Sequence, residues 1–316
     1  MSSELSQSRP VITVVATIYN SELAIKDFVS GCRRVLTLIA ASKFEIILVD
    51  DNSTDGSLQA ALAEREHCPE IVVVELARNY GQHLALLAGL RFATGELVVC
   101  MDGDGDEDPE WIADFLTARK STGADIVIGS VDNSRRSLTY RICRTVFLKI
   151  LGDSNLSSRN ETTARLMTSR VVDAMTQYLE SEFYFGGVMQ ELGFKRAYVP
   201  VWRVESHPTR YKLPQLFRQA RSAITSFSVL PLRLLFLWGL LISFAAAIGI
   251  TIVLAFTLLT RVPDQVEWIS VLLAIAFFGG NCIFALGLIG EYLSTVLTET
   301  KRRPQYHIRD VHRTES

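Results

Sequence analysis

The chain has 316 residues, room for one large domain or two smaller ones, and its 32 Lys and Arg nearly balance its 34 Asp and Glu. A formal net charge of −2 argues against a nucleic-acid partner. A hydrophobic share of 48% and a mean hydropathy of +0.22 are high for a soluble protein, and the excess is concentrated in the last third of the sequence.

The first ten residues, MSSELSQSRP, contain no apolar h-region, so no signal peptide is expected. Val11 to Ala16 is a β-branched run that reads as the first strand, ending in Thr17-Ile18-Tyr19-Asn20 before a helix from about Ser21. The next strand, Phe44 to Val49, opens into Asp50-Asp51-Asn52-Ser53-Thr54-Asp55-Gly56-Ser57, a polar loop followed by a helix start. Ile71 to Leu76 reads as a third strand, and Asn79 to Ala93 as a helix with Leu84, Leu87 and Leu90 on one face. A fourth strand enters an acidic run, a helix starts at Pro109, and a fifth strand lies near Asp125 to Gly129. Alternating strands and helices predict an α/β domain with a mainly parallel, doubly wound sheet. There is no GxGxxG after the first strand and no GxxxxGK[ST], so phosphates must be held by metal and by arginine.

The acidic run is VVCMDGDGDEDPEW, Val98 to Trp111, in which an apolar strand stops in five carboxylates before Pro109. Asp102, Asp104 and Asp106 leave the strand end at alternate positions. Carboxylates packed so closely repel one another unless a hard divalent ion sits among them, and ligands of open α/β sheets bind beyond the carboxyl ends of strands. A nucleotide diphosphate carried on that ion is the natural cargo. Two other readings compete. A calcium loop of the EF-hand type would need glycine at Glu107 and glutamate at Ala113, and it fails. A merely solvated loop, with Asp108 capping the helix at Pro109, stands beside the metal reading. Cys32, Cys68, Cys100, Cys143 and Cys282 show no metal spacing and read as small apolar residues.

No charge interrupts Leu234 to Thr260 or Trp268 to Gly290, and each stretch exceeds the roughly 20 residues that cross a bilayer core. They predict a two-helix transmembrane hairpin over 234–297 with a short loop at 261–267. Arg210, Lys212, Arg218, Arg221 and Arg233 precede it and Lys301, Arg302, Arg303 and Arg309 follow, while the loop offsets Arg261 with Asp264 and Glu267. Both ends are therefore expected in the cytoplasm, as a multi-pass protein of the inner membrane. Before the hairpin, Leu213, Leu216, Phe217, Ala220, Ile224 and Phe227 recur at helical spacing beside Arg218 and Arg221. Residues 211–233 read as an interfacial amphipathic helix, with a helix packed on the first domain as the alternative. The remaining divisions are a catalytic domain over 1–210 and a basic cytoplasmic tail over 298–316.

Several blocks together now resemble a known family. Thr17-Ile18-Tyr19-Asn20, LVDDNSTDGS, RNYGQHLALLAGLRFATGE and MDGDGDEDPEWI are similar to the ordered blocks of family 2 glycosyltransferases with a GT-A (Rossmann-like) fold. The closer resemblance is to the polyprenyl-phosphate branch: dolichol-phosphate mannose synthases, GtrB-type glucosyltransferases and undecaprenyl-phosphate aminoarabinose transferases. SFSVLPLRL and GLIGEYLSTVLTETKRRPQY, flanking the apolar helices, resemble the bacterial members. The resemblance covers nearly the whole chain. It implies that Asp102 and Asp104 are the Asp-x-Asp pair, with Asp106 where mannose synthases carry a third, glutamine ligand. It further implies that Thr17, Tyr19, Asn20 and Asp51 hold the nucleoside, with Asp102, and that Arg135 and Arg141 approach the phosphates.

Some blocks depart from the family. Thr17 and Ser21 replace the proline and glutamate of Pro-x-Tyr-Asn-Glu. The Asp-Phe-Arg-Leu block reads Thr163-Ala164-Arg165-Leu166, and Gly-x-Ser/Thr-Lys/Asn-Tyr reads His207-Pro208-Thr209-Arg210-Tyr211. The implied activity is inverting transfer of a sugar from a nucleotide-diphosphate sugar to polyprenyl phosphate, with undecaprenyl phosphate the expected acceptor. Such a product supplies lipid-linked sugar for cell-envelope or surface glycan modification. Magnesium or manganese on Asp102, Asp104 and Asp106 would serve as cofactor, with Asp104 catalytic and Arg165 and Arg210 clamping the lipid phosphate. Assembly with further copies of the chain is left open. A processive polysaccharide synthase would share the sheet, but none of Trp111, Trp202, Trp238 or Trp268 sits in a Gln-x-x-Arg-Trp motif. A non-catalytic membrane scaffold with this fold would tolerate a broken acidic cluster, and the cluster is intact.

Overall fold

The computed structural model describes residues 11–40, 43–131, 160–178, 185–202, 237–239, 241–242, 244–245, 248–249, 251–252, 264–301 and 304–313. The chain divides into two units. One comprises Met1–Arg141, Asn155–Tyr211 and Arg302–Ser316, the other Ile142–Ser154 and Lys212–Lys301.

In the first unit, strand and helix alternate as β1 (Ile12–Ile18), α1 (Glu22–Ala40), β2 (Phe44–Asp50), α2 (Ser57–His67), β3 (Ile71–Leu76), α3 (Gln82–Leu90), β4 (Leu97–Asp102), α4 (Trp111–Thr122) and β5 (Ile126–Val131). Then follow β6 (Asn160–Thr168), α5 (Ser169–Thr176), α6 (Phe185–Glu191) and β7 (Arg196–Pro200), and at the far end of the chain β8 (Ile308–His312). The eight strands form one sheet in the order β7-β5-β6-β4-β1-β2-β3-β8. β1 pairs in parallel with β2 and β4, β2 with β3, and β5 with β7. β6 runs antiparallel to β4 and β5, and β8 antiparallel to β3. A mainly parallel α/β sheet is thus present, with two antiparallel insertions.

The near-continuous apolar runs of the central strands follow from this topology, because a parallel sheet is covered on both faces. Along β1, Val14, Ala16 and Ile18 join a core with Ile25, Val29 and Phe115, whereas Val15 joins a second core with Leu86, Leu87 and Met175. Successive side chains point to opposite faces, so one strand serves both cores. Of the leucines placed on one helical face, Leu87 and Leu90 are buried and Leu84 is half-buried.

The boundaries differ in instructive ways. β1 runs on to Ile18, because Thr17 still pairs with Asp102 and Ile18 with Asp50. α3 begins at Gln82, three residues late, since Tyr80 and Gly81 turn their amides toward Asp51. α4 begins at Trp111 rather than Pro109: the Trp111 amide bonds to the Asp108 carbonyl in a turn, and the Asp108 carboxylate accepts from the Glu110 amide.

In the second unit, α7 spans Asp264–Thr300, 37 residues. It begins inside the expected loop at 261–267 and runs past Gly290. At 1.5 Å per residue it is about 55 Å long, more than the roughly 30 Å of a bilayer core. Among the described residues it is the one helix long and apolar enough to cross a membrane, through Phe277–Ser294. Ile275, Phe277, Leu286, Ile289 and Leu293 are exposed along it. The described residues within 237–252 are helical, and Leu237, Trp238, Leu241 and Phe244 are exposed. The predicted interfacial helix, the rest of the first apolar stretch, Cys143, Arg135, Arg141 and Arg210 lie outside the described residues.

Candidate active site

The strand order reverses at β1: β2 and β3 lie on one side, β4 and β6 on the other. In open α/β sheets the crevice at such a switch point, beyond the carboxyl ends, is where ligands bind. Asp50 ends β2 and Asp102 ends β4, each paired to the last residues of β1. Two strand spacings put these positions about 10 Å apart across the crevice.

On the β2 side the loops are fastened by side chains. The Asp51 carboxylate accepts from the amides of Tyr80 at 2.7 Å and Gly81 at 2.8 Å. Gly81 sits at φ 89°, a conformation L side chains rarely adopt, which explains glycine between Tyr80 and Gln82. Burial pushes the Asp51 carboxyl up from its ordinary pKa; the two amide bonds pull it back, and neighbouring Asp50 adds to the push. Asp50 is raised as well, again first by burial, with Ser53 bonding against it and Glu75 and Asp55 adding to it. Asn20, at φ 51°, accepts from the Thr54 amide (2.9 Å) and hydroxyl (3.2 Å), and its own amide donates to the Ser53 hydroxyl. Its side-chain oxygen therefore joins the two loops. Tyr19 is exposed beside it, and Thr17 is half-buried on β1.

On the β4 side Asp102 is buried, and its carboxylate accepts from the Gln82 side chain, which also donates to the Thr163 hydroxyl at 2.9 Å. Gly103 follows with its amide on the Thr17 carbonyl at 2.9 Å. A Cβ there would meet Ile18 Cγ2 at 2.8 Å and that carbonyl at 3.1 Å. Only glycine fits between β4 and the end of β1. Asp104 is exposed and accepts from the Asp106 amide at 3.1 Å, and Asp106 is half-buried. Glu107, 1% exposed, folds back: one oxygen accepts from the Asp102 amide at 2.8 Å, the other from the amides of Thr163 and Ala164, both at 3.1 Å.

Arg165 takes a different place from the one expected. It is buried on β6, donating to the carbonyls of Thr163 (2.9 Å) and Thr162 (2.7 Å) and to Met189 Sδ (3.0 Å), with its guanidinium 4.9 Å from the centre of the Phe185 ring. It and Glu107 divide the backbone of 162–164 between them, the arginine taking carbonyls and the glutamate amides. Nothing in the sequence marks Gln82 or Glu107 for the site: Gln82 stands in RNYGQHL and Glu107 in the acidic run itself, and neither position signals that the first will meet the Asp102 and Thr163 side chains and the second backbone amides.

The donor set of the acidic loop is all oxygen, the ligand type of hard cations. Among the described residues no group of three His, Cys, Asp or Glu side chains is arranged to hold a metal ion, so Asp102, Asp104 and Asp106 do not form a ready three-carboxylate cage. A magnesium-type site does not need one: such ions are held by one or two carboxylates and complete their shell with water and substrate phosphates. Asp102 and Asp104 fit that requirement.

The switch point at β1, with Asp50 and Asp102 at the ends of the flanking strands, is the place where an open α/β sheet receives a ligand. A glycosyl transferase family 2 model matches residues 13–164. The chain is 34% identical over 95% of its length to a Mycobacterium tuberculosis protein that carries a glycosyltransferase name, covering 88% of it. It is 31% identical to YkoT of Bacillus subtilis, an uncharacterized glycosyltransferase, over 96% of this chain and 93% of that one. Among solved structures, mannosyl-3-phosphoglycerate synthase from Rubrobacter xylanophilus shares the fold, with a TM-score of 0.51, 19% identity, and coverage of 71% of this chain and 74% of that one. The chain belongs to glycosyl transferase family 2 and is a glycosyltransferase.

Proposed function

We propose that the protein is a membrane-anchored, inverting glycosyltransferase that moves a sugar from a nucleotide diphosphate to polyprenyl phosphate, undecaprenyl phosphate in the first instance. The observation that carries the lipid acceptor is the return of β8 to the sheet after α7. A chain whose two ends share one sheet crosses a membrane an even number of times. If α7 crosses once, a second crossing falls between 202 and 264, and the uncharged stretch Leu234 to Thr260 supplies it. The basic residues on both flanks then favour the cytoplasmic face of the inner membrane for the catalytic unit and both termini. An enzyme fixed at that interface meets an acceptor whose phosphate lies at the same surface.

Direct displacement at the anomeric carbon needs a nucleophile, alignment and a stabilised leaving group. The acceptor phosphate is already anionic near neutral pH, so a strong general base is not obligatory. Asp51, Asn20, Thr17 and Tyr19 shape the nucleoside side of the crevice, and Asp102 and Asp104, with Asp106 beside them, receive a divalent ion, magnesium or manganese. When bound, that ion supplies positive charge to the departing diphosphate. Arg135 and Arg141 serve the donor phosphates and Arg210 the lipid phosphate, since a guanidinium can grip phosphate bidentately. Arg165 supports the strand that carries Thr163.

Membranes containing the protein, incubated with a panel of radiolabelled nucleotide sugars and undecaprenyl phosphate, should render one label extractable into organic solvent. Transfer only to water-soluble acceptors would overturn the lipid acceptor and leave the family assignment standing.

A further inference from the structure

The sheet edge carries a device that the site above does not use. β8 pairs with β3 as Val73 with His312, Val74 with Val311 and Glu75 with Asp310, then Leu76 with Ile308, so Arg309 is the extra residue of a β-bulge. A bulge leaves one residue out of the ladder and re-aims its side chain. Here the guanidinium is aimed at the loops beyond β2 and β3. It donates to Glu75 Oε1 at 2.5 Å, to the Ala77 carbonyl at 3.0 Å and to the Asn52 side-chain oxygen at 3.3 Å. Asn52 holds φ 57° and follows Asp51. Ala77, whose amide is bonded to the His307 carbonyl, opens the segment whose Tyr80 and Gly81 amides grip Asp51. One side chain from the chain's last strand thus ties the two loops that form the nucleoside side of the crevice. Glu75 is nearly buried and adjoins Asp50 in the sheet, so Arg309 also offsets a carboxylate that would otherwise burden that loop.

We infer that Arg309 is a positioning residue for the nucleotide: docking of the tail strand fixes the Asp51–Asn52 loop in its nucleotide-accepting form. The inference rests on the nucleotide-sugar reading and deepens it. Lysine could keep the ion pair with Glu75 but has no planar fork to reach three acceptors at fixed angles. By linkage, whatever tail docking adds to nucleotide affinity, nucleotide adds to tail docking.

The test is calorimetric binding of UDP and of GDP, with magnesium, to the full-length protein as wild type, Arg309→Ala and Arg309→Lys, beside their thermal midpoints. Arg309→Ala should bind the preferred nucleotide about tenfold more weakly, within the usual range of coupling between sites. Arg309→Lys should keep the wild-type midpoint yet stay weakened. Wild-type affinity in Arg309→Lys, or in a folded Arg309→Ala, would overturn the inference and reduce the arginine to an edge ion pair. Should Arg309→Ala fail to fold, Arg309→Lys decides alone. A wild-type protein that binds neither nucleotide would overturn the donor reading and this inference together.

Discussion

The loops after β2 and β4 leave the same sheet on either side of β1, and they treat their carboxylates in opposite ways. After β2, Asp51 gives its carboxylate to two backbone amides, and Asn20, Ser53 and Thr54 knit the neighbouring turns together. After β4, the buried members of the acidic run, Asp102 and Glu107, are held by Gln82 and by amides, while Asp104 stands in solvent. A carboxylate saturated by amides shapes a pocket, whereas one left to water can exchange that water for a cation or a substrate. In the proposed transferase this contrast would separate a preorganised recognition side from a reactive side within one crevice.

The reactive side is the easier to break. Asp104→Asn should abolish transfer while the far-UV spectrum and thermal midpoint stay put, because an exposed substitution rarely moves stability by more than about 0.5 kcal/mol. Chelation with EDTA should do the same, and full activity in EDTA without added metal would take the cation out of the acidic loop. Gln82→Ala comes next: with its brace gone, Asp102 should need more metal for half-maximal rate, and transfer should drop by about 10–100-fold. A lower melting point with an unchanged rate per folded molecule would make that bridge purely structural.

Gly103→Ala tests the join between the two sides. Its new Cβ pushes on Ile18 and the Thr17 carbonyl, so a loss of about 1–3 kcal/mol in denaturant unfolding is expected. Equal stability would mean that the ends of β1 and β4 give way without cost. The smallest effect belongs to Asp50 on the recognition side. Burial raises its folded-state pKa above the unfolded value, so folding favours the protonated form, and the stability this contributes is lost as pH rises through the raised value. Asp50→Asn lacks that loss. Its thermal midpoint should therefore gain on wild type as pH rises above the ordinary carboxylate value of about 4, and a flat difference would show the charge to be compensated.

Much was legible in the chain itself. Apolar runs punctuated by Asp, Asn and Gly fixed strands β1 to β5 to within a few residues, because a strand buried on both faces has no polar alternation to blur it. Asp-Gly-Asp marked a strand end, and the acidic run does leave the sheet at the end of β4. Local pattern could not assign partners across the fold. Arg165 looks like a phosphate clamp in sequence, yet β6 runs between β4 and β5 and turns its guanidinium into the protein, toward its own backbone carbonyls. Arg309 reads as one more basic residue after a membrane helix. Only the antiparallel pairing of β8 with β3, between residues more than two hundred positions apart, sets it over Asn52. Hydrophobic periodicity is a local property and survives in one dimension. Which backbone amide meets which carboxylate depends on strand order and register, and these exist only once the chain has closed on itself.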